Sequence, residues 1–60
     1  MKFKITFTKN VGIGEDVFWK DQVLVGEIIA KYRKTIIFRP DEVEKNLAIG
    51  TSDVRVDKVE

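Results

Sequence analysis

Sixty residues, 43% hydrophobic and 35% charged, have the make-up of one small folded domain rather than a disordered tail. With no cysteine and no histidine, the chain has no disulfide staple, no thiolate nucleophile, no zinc cluster and no general base of the usual kind near neutral pH. The formal charge of +1 is polarised: residues 1–39 carry eight Lys/Arg against four Asp/Glu and residues 40–60 three against six, so the two parts are +4 and −3.

Residues 1–8 alternate without a break. Met1, Phe3, Ile5 and Phe7 fall on one side and Lys2, Lys4, Thr6 and Thr8 on the other, the period of a half-buried strand. Residues 9–16, KNVGIGED, are expected to form a loop, since Asn10, Gly12 and Gly14 permit positive φ and no apolar period runs through them. Gly12-Ile13-Gly14 opens like a phosphate loop. It lacks the third glycine and the Gly-Lys-Ser/Thr ending, and Glu15-Asp16 would repel phosphate.

Residues 17–39 hold most of the bulky apolar side chains, the single Trp and the single Tyr, and they admit two readings. As a helix over 21–34, Asp21 caps the N-terminus and Leu24, Val25, Ile28, Ile29 and Tyr32 line one face. As strands, Val17-Phe18-Trp19 runs to a turn at Lys20-Asp21-Gln22, and residues 23–32 return to a second turn near Arg33-Lys34. Thr35 to Arg39 then follows as TIIFR. Here Leu24, Gly26, Ile28, Ala30 and Tyr32 share one face, a three-residue loop adds Ile36 and Phe38, and Gly26 marks a bend or bulge. The stiff Val23, Val25, Ile28 and Ile29 and the central glycine favour strands.

Pro40 is expected to end the sheet, and residues 41–45 to make a short helical turn. Asp41, Glu42 and Glu44 lack the spacing of a calcium loop and read as a solvated acidic turn. Residues 47–51 and 54–59 are two further short strands around Gly50-Thr51-Ser52-Asp53, with residues 57–60 fraying.

The series Gly14, Val17, Phe18, Lys20-Asp21, Leu24, Gly26-Glu27-Ile28, Tyr32 and Ile36-Ile37-Phe38 resembles the core of SH3-like small barrels of the KOW type. The likeness covers the middle third to half of the chain, and it departs from the family in the long strand before it and the acidic insertion after it. It implies a mainly β, five-stranded small barrel that works with nucleic acid in transcription or translation. The alternative is an α+β fold with the helix packed on a small sheet.

No residue set supports catalysis, a cofactor, a metal or a small-molecule substrate, so the chain is expected to be a noncatalytic binder. Lys31, Tyr32, Arg33 and Lys34, with Arg39 across the hairpin, form a basic cluster interleaved with an aromatic. Such a cluster suits weak, salt-dependent contact with nucleic acid. Trp19 and Phe18 are candidates for a protein interface instead, as is the edge of the first strand, through a homodimer or as an inhibitor of a larger enzyme. No apolar run reaches the roughly 18 residues of a membrane span, and no signal peptide opens the chain, which points to the cytoplasm.

Overall fold

The computed structural model describes residues 1–59 and is mainly β. β1 (Phe3–Phe7), β4 (Val23–Lys31), β5 (Thr35–Pro40), β6 (Leu47–Gly50) and β7 (Val54–Lys58) form one antiparallel sheet in the order β6-β5-β4-β1-β7. β2 (Val11–Ile13) and β3 (Asp16–Phe18) make a separate hairpin, and a 3₁₀ turn, η1 (Thr51–Asp53), links β6 to β7. β6 and β7 are not paired with each other, so hydrogen bonds do not close the sheet into a barrel. No helix among the described residues is long and apolar enough to cross a membrane.

The alternation of β1 places Ile5 and Phe7 fully inside. They meet Ile36 and Phe38 of β5, Leu47 and Ile49 of β6 and Val54 of β7 in a single core. Burying each such side chain contributes about 1.5–3 kcal/mol relative to leaving it exposed, and here that gain must replace any covalent staple.

The segment expected to be a loop at residues 9–16 instead pairs as the β2–β3 hairpin, with Ile13 opposite Asp16. Gly14 has φ 60° and Glu15 does not share the positive value, the pattern of a type II′ hairpin turn. Val11, Ile13 and Phe18 pack from this hairpin onto the core. The Phe18 ring lies parallel to that of Phe7 at 4.9 Å between centroids.

The helix over 21–34 is overturned, because residues 23–31 are one continuous strand, paired with β1 on one side and β5 on the other. The turn at residues 19–22 is made by Asp21 at φ 73°, with the Gln22 amide donating to the Trp19 carbonyl at 3.0 Å. That is the arrangement of a type II turn, whose third residue must take positive φ.

The bulge expected at Gly26 lies further on, where the register slips between Ile28 and Ala30. The extra residue shifts the pairing with β5 by one position. Leu24, Gly26, Ile28 and Ala30 are nonetheless each more buried than their strand neighbours, whereas Tyr32, beyond the strand, is exposed.

β5 ends at Pro40 as expected, with the proline buried as its last residue and the Asp41 amide still donating to the Val25 carbonyl. Two more expectations change. Residues 41–45 are turns and bends without a helix, and the short helical element lies at η1. Asp57 and Lys58 do not fray: they belong to β7, and the Val59 amide donates to the Lys2 carbonyl at 3.1 Å. Glu60 lies outside the described residues.

Candidate nucleic-acid interface

A three-residue loop, residues 32–34, joins β4 to β5. It contains no glycine; the Tyr32 amide donating to the Thr35 carbonyl at 2.7 Å holds it closed. Lys31, Tyr32, Arg33 and Lys34 are all exposed, and Tyr32 presents 61% of its surface. The expected basic cluster is thus brought together at one tip.

Arg39 is not part of it. The register sets Lys31 opposite Ile36 and Arg39 opposite Glu27, three positions and roughly 10 Å further along the hairpin. Arg39 is exposed, opposite Glu27 in the strand register.

η1 extends the tip into a larger surface. The Thr51 amide donates to the Lys34 carbonyl at 3.0 Å, while the Asp53 carbonyl accepts from the Thr8 amide at 2.9 Å. Three residues therefore fasten the basic tip to the segment that leaves β1. The Lys9 ammonium lies 3.2 Å from the Asp53 carboxylate, which anchors the lysine beside the turn while its side chain stays 60% exposed.

The chain of contacts continues. The Lys20 amide donates to the Asn10 side chain at 2.8 Å, and Asp21 and Gln22 bond the backbone of Phe7. Trp19, 61% exposed, sits on this turn, with its amide donating to the Gln22 side-chain oxygen. An unbroken run of contacts therefore links the segments that carry Lys9, Lys20, Lys31, Arg33 and Lys34, with Asp21 and Asp53 among them and two exposed aromatic side chains, Trp19 and Tyr32.

Trp19 and Phe18 separate in role. β3 alternates, so Phe18 turns inward onto Phe7 while Val17 and Trp19 turn out. Lys9, Lys20 and η1 went unrecognised in the sequence, because only the long-range pairing of β1 with β7 carries residues 8–9 to the turn before β7. β1 itself is flanked by β4 and β7, so it offers no edge for a partner strand; the edges are β6 and β7.

The chain was compared with protein-family models, curated proteins and solved structures, and none matches it.

Proposed function

We propose that the protein is a noncatalytic, cytoplasmic binding module of SH3-like architecture. It engages single-stranded nucleic acid through the surface built on η1, in the setting of transcription or translation. The observation that carries this reading is that five cations and two exposed aromatic side chains lie on three segments linked through η1 and the end of β1. Lys and Arg neutralise phosphates, and Tyr32 and Trp19 offer ring faces on which unpaired bases stack. Neither group needs the other in a protein that merely stays in solution.

The strand order, the bent β4 and the 3₁₀ turn between the edge strands support the SH3-like reading. The noncatalytic reading draws on the residue supply, which has no His and no Cys.

Titrating a labelled single-stranded oligonucleotide at several salt concentrations tests the proposal. With about three phosphates engaged, log K falls against log salt with a slope of roughly −2, and replacing Arg33 and Lys34 by Ala brings it to roughly −0.7. An unchanged slope in that variant rejects the site.

A second reading, a protein-interaction or inhibitor module, is favoured by Trp19 alone, since exposed Trp is a common interface anchor. It expects loss of partner binding in Trp19→Ala with oligonucleotide binding intact.

A further inference from the structure

We propose that the chain associates head to tail, the basic tip of one copy seating in an apolar cleft at the far end of the β4–β5 hairpin of the next. The cleft lies between the start of β4 and the turn after β5. Val23, Val25, Pro40 and Val43 line it, and it encloses about 220 Å³. A second hollow of about 150 Å³ shares Leu24, Pro40 and Val43 with it and reaches Phe18 and Leu47. Both are below the size of ordinary ligand sites and suit a side chain or two. Val23, Val25 and Val43 remain exposed there, which leaves an apolar surface without a partner inside the chain.

The rim of the cleft selects the occupant. Asp41 is paired with Lys2, and Asp16 with Lys45. Glu42, which lines the cleft, and Glu44, two residues on, are exposed and form no ion pair among the described residues, so this end of the molecule stays net acidic. Glu42-Val43-Glu44 is thus an apolar side chain between two free carboxylates. Lys31-Tyr32-Arg33, at the other end, is an exposed aromatic between two cations. Apolar matches apolar and each charge meets its opposite, so a second copy satisfies both surfaces with groups already on display.

The contact cannot form within one molecule. β5 separates tip from cleft by five residue steps, roughly 16 Å of extended chain. A contact between two different patches is heterologous and does not close on itself, so it adds copies without a fixed end. It is small beside the about 1,200–2,000 Å² of a stable complex, so association is weak and salt-sensitive. It covers Tyr32 and the tip cations. The association does not depend on the nucleic-acid reading, but it would compete with that binding.

Sedimentation of the full chain tests this. The wild type should show a mass-average that climbs with concentration past the dimer and falls at high salt. A cleft variant, Glu42→Lys with Glu44→Lys, and a tip variant, Tyr32→Ala with Arg33→Ala and Lys34→Ala, should each be monomeric. Mixed in equal amounts they should form a 1:1 dimer that grows no further, because one supplies the only tip and the other the only cleft. All five positions are exposed, and the amide spectrum of each variant checks its fold. A wild type that stays monomeric into the millimolar range overturns the proposal, and so does a mixture of folded variants that shows no dimer. A cleft variant that loses self-association yet still binds the oligonucleotide separates this contact from the nucleic-acid site.

Discussion

Gly26 of β4 and Pro40 of β5 face each other in register, at a point where no side chain fits on the glycine. Val25 and Asp41 form the neighbouring hydrogen-bonded pair, so Gly26 and Pro40 form the closer, non-hydrogen-bonded kind. The proline nitrogen then points away from β4, toward the space beyond the end of β6, and costs the ladder no donor. A Cβ on Gly26 would lie 2.1 Å from the Arg39 carbonyl oxygen and 2.7 Å from the Pro40 Cα. Both are backbone atoms and cannot rotate away. Gly26→Ala should therefore destabilise by at least the upper part of the about 1–3 kcal/mol typical of overpacking, measured by urea unfolding. A loss below about 0.5 kcal/mol would place the β4–β5 approach elsewhere.

Asp21 holds a backbone conformation that suits glycine. At φ 73° in the third position of its turn, it tolerates the left-handed region better than a branched residue does. Asp21→Val should cost about 1–2 kcal/mol, whereas Asp21→Gly should be neutral or slightly stabilising. Equal losses from both would show that the aspartate side chain, not the backbone, sets the turn.

Neighbours Phe18 and Trp19 should respond in opposite ways. Phe18 stacks on the fully buried Phe7 and holds the β2–β3 hairpin down, so Phe18→Ala should cost about 2–3 kcal/mol, less than a fully buried Phe. Trp19→Ala should change stability by no more than about 0.5 kcal/mol, because most of the ring is already in water. Thermal or urea unfolding of the two variants gives the comparison directly.

Lys2 links the first strand to the turn after β5. The hydrogen bond it donates to Asp41 raises its pKa above the ordinary lysine value; the charges of Asp41 and Glu27 add to this, and partial desolvation opposes it. A raised folded-state value means that the stabilisation is complete below the ordinary lysine pKa of about 10.4 and is lost as pH rises through the folded value. The wild type should therefore lose stability with rising pH above about 10 more steeply than Lys2→Met. Parallel slopes would show that the pair contributes nothing to folding.

Much of the sheet is legible in the residue pattern, and the exceptions have physical causes. β1 alternates cleanly because one of its faces is solvated and polar. The residue types of β4 do not, since its outer face also carries Val23, Val25 and Ile29. Those apolar residues on both faces also satisfy a helical period, so a helix and a strand compete on paper. The β2–β3 hairpin is hidden by its brevity and glycines, and it is stable through Phe18 rather than through its own strands. The basic tip could be found by composition alone. Arg39 was misplaced because the register, unlike the loop, is not written locally. Lys9 and η1 depend on pairings between the two ends of the chain.

The most direct measurement is an amide chemical-shift map of the full chain titrated with a single-stranded oligonucleotide at low salt. At a protein concentration too low for self-association, residues 9–10, 19–20, 32–34 and 51–53 should shift together along one saturation curve, while residues 41–46 stay still. No shifts at all, or shifts confined to residues 41–46, would contradict the proposed site.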